Sequence, residues 1–227
     1  MRVVTIDGPA GAGKSTVAQR LADRLGWRLL DTGAMYRAVT LAALRSESDL
    51  GSDETLGALA EHVTVRLPAG RVLLDGEDVT ALIRSVEVTL ASRFVADSPS
   101  VRRRLVEWQR EFAAEYDVIA EGRDQGTLVF PQALRKFFLT ASLVERARRR
   151  HAEFAERGEP VLLETVLRDL RERDERDEAR AIAPMKPASD AVLIDTTGLG
   201  LDEVVGRIER DVLDRLGEVE AGEEAPP

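Results

Sequence analysis

The chain has 227 residues, with 32 Lys and Arg against 41 Asp and Glu and a formal net charge of −9. With 44% apolar and 32% charged residues it has the balance of a globular chain with a core, not of a disordered one. No apolar run reaches the roughly 18 to 20 residues of a membrane span, and without cysteine there is neither a disulfide framework nor a thiolate metal site. The two histidines, His62 and His151, make a histidine-based metal site an unpromising idea. Net acidity argues against a nucleic-acid-binding surface. The first residues, MRVVTID, are expected to enter a strand and not a secretory signal. The expectation is a cytoplasmic domain with no membrane or nucleic-acid partner.

Residues 2–6 (RVVTI) form an apolar β-branched run, followed by a glycine-rich turn and a helical pattern over 14–25. A second strand is expected at 27–31, a helix at 35–44 and a short helix at 51–60 opened by Ser52 or Asp53. The period then changes: 62–67 alternates, 71–74 is apolar, and Asp75-Gly76 signals a hairpin before 77–79. Helical spacing returns over 86–96 and 101–115, with Pro99 near a helix start. Buried strands are expected at 117–121, 136–140 and 192–195. The charged stretch 142–180 reads as two exposed helices divided at 158–160 and supported by pairs such as Arg173/Asp177. Residues 217–227 read as a frayed acidic tail.

Strands alternating with helices imply a mainly parallel sheet covered on both faces, with ligands beyond its carboxyl edge. The expected architecture is an α/β, P-loop NTPase-like, three-layer fold built on a five-stranded parallel sheet. A small antiparallel insertion and a helical lid complete it. A single domain is divided into a core (1–35, 100–145 and 165–216), an insertion at about 36–99, a lid at about 146–162 and the tail. No apolar stripe suggests an obligate partner, and a monomer is expected.

Gly8-Pro9-Ala10-Gly11-Ala12-Gly13-Lys14-Ser15 satisfies G-x-x-x-x-G-K-[ST], with a strand before it and a helix after it. Such a loop curls so that successive N–H groups face one anion, helped by the helix dipole. Lys14 is placed to reach the β- and γ-phosphates of a nucleoside triphosphate, the Ser15 hydroxyl to ligate Mg2+, and Thr16 to follow on the same helix. ATP is the expected triphosphate. A guanine-reading Asn-Lys-x-Asp string is absent. The nearest motor-type strand, ending at Glu121, runs into Gly122-Arg123-Asp124, which suits a charged second substrate better than water activation.

Asp31-Thr32-Gly33-Ala34-Met35-Tyr36-Arg37, Glu121-Gly122-Arg123-Asp124-Gln125-Gly126-Thr127 and Arg173-Asp174-Glu175-Arg176-Asp177-Glu178-Ala179-Arg180 resemble motifs of the bacterial cytidylate kinases. With the phosphate loop they stand in the family's order over positions 8 to about 187. The resemblance implies transfer of the γ-phosphoryl group of ATP to CMP, and to dCMP, with Mg2+ as cofactor. It assigns Thr32, Tyr36 and Arg37 to CMP, and Arg37, Arg123 and Arg180 to its phosphate. Asp124 and Arg102 go to the cytosine edge and Asp177 to the ribose hydroxyls. Lys14, Arg123 and Arg180 are the implied catalytic residues, and Arg149 is added to the ATP loop.

The chemistry agrees with the assignment. Three forked guanidiniums neutralise a dianion, and cytosine's N4 amino group meets a carboxylate that uracil's oxygen would not. The acceptor is a phosphate oxygen, already deprotonated at neutral pH, so neither Asp124 nor Glu121 is given the work of a base. Glu121 is the candidate for orienting magnesium-bound water. Arg146, Arg148, Arg149 and Arg150 fit a lid that closes over ATP, or a solvated helix face. The chain departs from the family at the Ser-x-Val-Ala motif, reading Arg93-Phe94-Val95-Ala96 with Ser92 one residue early. Either the helix shifts by a residue or another group replaces that hydroxyl. Kinases for other small acceptors, such as shikimate or gluconate, share the loop, and a nucleotide-dependent switch would use it for a partner interaction.

Overall fold

The computed structural model describes residues 1–68, 70–156, 158–159 and 161–223, and the side chains of 220, 222 and 223 are excluded. In chain order the elements are β1 (Val3–Asp7), α1 (Lys14–Leu25), β2 (Arg28–Asp31), α2 (Thr32–Arg45) and α3 (Asp53–His62). There follow β3 (Val65–Arg66), β4 (Leu73–Leu74), β5 (Glu77–Asp78), a 3-10 turn (Leu82–Arg84), α4 (Val86–Asp97) and α5 (Pro99–Glu115). The chain ends with β6 (Val118–Glu121), a π-helical turn (Gln125–Val129), β7 (Arg135–Thr140), α6 (Leu143–Glu156), α7 (Leu163–Ala179), β8 (Val192–Asp195) and α8 (Leu201–Glu223). It divides into two compact units, one made of residues 1–28 and 116–227 and the other of residues 29–115. The second is wider than the 36–99 insertion expected, taking in α2 and all of α5.

A five-stranded sheet has the order β2-β6-β1-β7-β8, and its strands β1, β6, β7 and β8 belong to the larger unit. β1 pairs parallel with β6 (Val3↔Val118 to Ile6↔Glu121) and with β7, and β7 with β8. All four β6 residues are buried, as are Val4, Thr5, Ile6 and Asp7 of β1. Successive side chains point to opposite faces, so burial at every position means that both faces are covered. α1 turns Val17, Ala18, Leu21 and Ala22 inward and leaves Gln19 and Arg20 exposed. It packs against β6 and α8. The helix α8 lies where the sequence showed no helix, although Val204, Ile208 and Val212, all buried, repeat at four-residue spacing. It continues to Glu223, so the segment expected as a frayed tail is helical that far, and residues 224–227 lie outside the described range.

In the smaller unit α2 packs with α4 and α3 with α5. The Ser52 hydroxyl caps α3 by accepting from Thr55 N–H. Asp53 ties α3 to the start of α5 by accepting from the Ser98 hydroxyl and from the Ser100 hydroxyl and N–H. The three-stranded antiparallel sheet β3-β4-β5 is present, with only two residues in each strand. Asp75 (φ +50°) and Gly76 (φ +87°) form the expected two-residue hairpin turn, both in the positive-φ conformation that matches strand twist. Contrary to the expectation of no apolar stripe, Leu82, Val86, Leu90 and Phe94 are exposed at four-residue intervals. Val88, Ala91 and Val95 occupy the inward face of α4 and satisfy its core, which leaves the second apolar row outside.

The chain leaves β1 through Gly8 at φ +138°, where an added Cβ would lie 1.9 Å from the Leu139 carbonyl oxygen of β7. Neither the conformation nor the space admits another residue. Gly8→Ala is expected to lower the unfolding free energy by about 2–4 kcal/mol, read from the urea midpoint at unchanged m-value.

Candidate active site

The phosphate loop spans the gap between the carboxyl end of β1 and the first turn of α1, whose N-cap is Gly13. Lys14 is only 5% exposed and its ammonium donates to the Pro9 carbonyl at 2.9 Å, so the side chain folds over its own loop. Burial and the positive charge of Arg123 push its pKa down from 10.5 to about 7, with Arg173 adding to the effect and Glu121 and Asp7 opposing it. The Ser15 hydroxyl donates to Glu121 Oε1 at 2.9 Å, joining the start of α1 to the end of β6. Thr16 is exposed beside it.

Two arginines of α6 brace the loop from behind. Arg146 is buried, donates to the carbonyls of Ala141 and Ala10 at 3.0 Å each, and pairs with Asp174 of α7 at 2.6 Å. Arg149 donates to Thr196 Oγ1 (3.0 Å) and O (2.7 Å) and pairs with Glu145. The Thr196 hydroxyl itself contacts the carbonyls of Ala12 and Thr140. Arg146 is therefore an internal brace between loop and α7, not an outward lid residue as the charge pattern suggested, because its stem packs beside Gly11 while each of its three guanidinium nitrogens has a partner, in the carbonyls of Ala141 and Ala10 and the carboxylate of Asp174. Arg150 pairs with Glu153 and lies over the Phe154 ring.

A second cluster forms where α7 ends. Asp177 is buried and receives Arg123 Nε at 3.0 Å and Arg180 at 2.5 Å, with Arg173 Nε 4.0 Å away. Burial alone would raise the Asp177 carboxyl, but Arg123, Arg180 and Arg173 together hold it below the usual carboxylate range. The Met185 N–H donates to the Asp177 carbonyl, folding the chain after Arg180 back onto the helix end. Asp124 is buried at the start of the π-helical turn, and its carbonyl accepts from Leu128 N–H and Val129 N–H. Thus Lys14, Ser15, Glu121, Arg123, Asp124, Arg149, Asp177 and Arg180 all belong to the larger unit.

Thr32, Tyr36, Arg37 and Arg102 belong to the smaller unit. Asp31 caps α2 by accepting from Ala34 N–H at 2.8 Å, and Arg37, one turn into the helix, reaches back to it at 3.7 Å. Thr32 is buried on the first turn. Arg102 is buried, donates to the Ala96 carbonyl at 3.3 Å and lies over the Tyr36 ring at 5.9 Å. Ser92 donates to the Thr89 carbonyl of its own helix at 2.8 Å.

Three participants were not singled out from sequence. Arg173 stands in a family motif and pairs with Asp177 in the helix reading but carries no site role there, Thr196 falls in no motif, and Asp7 follows the strand expected at 2–6. Asp7 is buried and accepts from Gln125 N–H (2.9 Å) and Gly126 N–H (2.8 Å). Burial, offset in part by those two bonds, raises its pKa to about 6. Its place immediately before the phosphate loop was the available signal.

Asp177, with its folded pKa depressed, contributes stability that is fully present above the unfolded value near 3.9 and is lost as pH falls through the lower folded value. Asp177→Asn is expected to cost about 1–3 kcal/mol at neutral pH, since it leaves three arginines without their shared counter-charge. Its urea-derived stability is also expected to fall less steeply on acidification than that of the parent chain. Equal acid slopes in the two proteins would contradict this.

A family model described as cytidylate kinase matches residues 4–213. A cytidylate kinase of Stutzerimonas stutzeri is 48% identical over 219 residues, covering 94% of this chain and 96% of that one. One from Shewanella loihica is 49% identical over 208 residues, covering 89% and 90%. A crystal structure of an uncharacterized protein from Eubacterium ventriosum shares the fold, with a TM-score of 0.52 at 13% identity, covering 93% of this chain and 98% of that one. With a phosphate loop whose lysine is held inside it and with this match along nearly its whole length, the chain belongs to the cytidylate kinase family.

Proposed function

We propose that the chain transfers the γ-phosphoryl group of ATP to the phosphate of CMP or dCMP, giving ADP and CDP or dCDP. The observation that carries this is the buried Lys14 of the phosphate loop, in the same unit as the Arg123, Arg173 and Arg180 group around Asp177. Three guanidiniums converge on the Asp177 carboxylate, and forked cations of this kind suit an acceptor phosphate. Arg37 of α2 joins them in holding the acceptor phosphate. Asp124 and Arg102 read the cytosine edge and Asp177 the ribose hydroxyls. On this reading the activity belongs to pyrimidine-nucleotide metabolism, in the cytoplasm.

In the reaction an oxygen of the CMP phosphate forms a bond to the γ-phosphorus while the bond from that phosphorus to the β,γ-bridging oxygen breaks, leaving ADP. The attacking oxygen carries no proton at neutral pH, so the protein has positioning and charge neutralisation to supply and no proton to remove. Lys14, released from the Pro9 carbonyl, follows the transferring group as a flexible point charge. Arg123 and Arg180, forked and already oriented by Asp177, hold the acceptor still. Arg149, fixed to Thr196, stands on the ATP side.

Ser15 and Glu121 offer the oxygen donors that suit Mg2+, a hydroxyl and a carboxylate 2.9 Å apart. Among the described residues no group of three or more His, Cys, Asp or Glu forms a cage, so the ion would take its remaining ligands from phosphate and water. When bound it supplies neutralisation of the triphosphate charge.

A coupled ADP-release assay with a panel of monophosphates and sugars tests the reading. ADP production that depends on CMP supports it, and slow hydrolysis indifferent to every acceptor would falsify it. Lys14→Ala is expected to lower turnover by roughly three orders of magnitude or more with an unchanged circular dichroism spectrum. Arg123→Ala is expected to weaken CMP, measured by titration calorimetry, more than ATP. Because Lys14 is lowered to about 7 in the chain by itself, a bound polyphosphate raises it again. At about pH 8.5 nucleotide binding should then take up a proton, seen as buffer-dependent calorimetric heats that vanish in Lys14→Met.

A further inference from the structure

Arg123 and Asp124 stand on residues 122–126, an irregular passage from β6 into the π-helical turn. Backbone N–H groups in such a passage have no ladder partner and are costly to bury unless an acceptor is supplied. β1 supplies it from one side. The Ile6 carbonyl accepts from Gly122 N–H at 3.1 Å, and the two Asp7 carboxylate oxygens accept from Gln125 N–H and Gly126 N–H at 2.9 and 2.8 Å. The last two residues of β1 thus bracket the passage, one before Arg123 and one after Asp124.

Gly126 makes the approach possible. An added Cβ there would lie 2.9 Å from Thr5 Oγ1 and 3.4 Å from Asp7 Oδ2. Keeping a second carboxylate buried within the field of Asp124 is electrostatically unfavourable. A residue chosen only for packing would not carry that charge. The residue after Asp7 is Gly8, so a single peptide separates the acceptor of this turn from the phosphate loop.

We propose that Asp7 is a positioning residue for base recognition: by holding the amides of Gln125 and Gly126 it sets Asp124 at a fixed place relative to the phosphate loop, and so determines selectivity for cytosine over uracil. This rests on the kinase reading above. In this scheme Asp7 acts through Asp124, each of its carboxylate oxygens accepting one of these backbone N–H groups. Asparagine at this position keeps the shape but turns one acceptor into a donor facing an N–H, which forces the turn to move.

The test compares kcat/KM for CMP and for UMP, and KM for ATP, in the parent chain, Asp7→Asn and Gly126→Ala. The two variants disturb the same junction from opposite sides, one removing the charge and the other keeping it. Each is expected to reduce the CMP-to-UMP ratio about tenfold or more, with KM for ATP changed less than about twofold. Should Asp7→Asn fail to fold, Gly126→Ala carries the comparison by itself. An unchanged ratio overturns the proposal, and so does a parallel loss for CMP, UMP and ATP, which indicates general loosening. An effect confined to Asp7→Asn overturns it as well, because it assigns the carboxylate to charge balance near Lys14. If the parent chain itself makes no CMP-dependent ADP, the kinase reading fails, and that outcome is distinct from all of these.

Discussion

Lys14 is held in the protein interior against the preference of its own charge. Burial and Arg123 both disfavour the ammonium form, while Glu121 and Asp7 favour it. Much of the larger unit can be understood as the support of that arrangement. The Pro9 carbonyl receives the ammonium, β6 brings Glu121 to the start of α1, and α7 brings Asp177 to absorb the charge of Arg123. Without Asp177, Arg123 and Arg180 would repel one another and Lys14 in a region of low effective dielectric. A site for polyphosphate must concentrate positive charge before its ligand arrives, and carboxylates on adjoining elements are what make that concentration compatible with folding.

The braces behind the loop show the same economy with polar groups. A phosphate loop must direct its N–H groups toward an anion, so its carbonyls turn the other way and require donors. Arg146 donates to the carbonyl of Ala10, Lys14 to that of Pro9 and the Thr196 hydroxyl contacts that of Ala12. These donors come from α6, from α1 and from the end of β8. Three separate elements thus hold the back of the loop.

The lid cluster illustrates how a charge run misleads. Arg146, Arg148, Arg149 and Arg150 look equivalent in sequence, yet Arg146 is buried against Asp174, Arg149 is fixed on Thr196 and Arg150 lies on Phe154. A helix places residues three and four apart on one face and others elsewhere, so four clustered arginines face different surroundings. The exposed row Leu82, Val86, Leu90 and Phe94 is the converse case. Apolar residues at helical spacing read as core, and only the packing of Val88, Ala91 and Val95 reveals that a second apolar row is left outside.

What the sequence determined by itself is local. The glycine pattern with Lys14 and Ser15, the Asp75-Gly76 turn, the bounds of α1 and the buried strands β6 and β7 follow from short-range rules of conformation and periodicity, whereas β8, expected buried, leaves Leu193 exposed; the four motifs in order were enough to indicate the family. What the tertiary structure decided is which charges meet. Asp177 shares its carboxylate with Arg123, which lies 54 positions away, and Asp7 accepts from the amides of Gln125 and Gly126, more than a hundred positions away. The place of Arg146 inside the fold is of the same kind. Hydrogen bonds and ion pairs depend on separations of a few ångströms, and between residues distant in the chain those separations exist only after the sheet order β2-β6-β1-β7-β8 has brought the strand ends together.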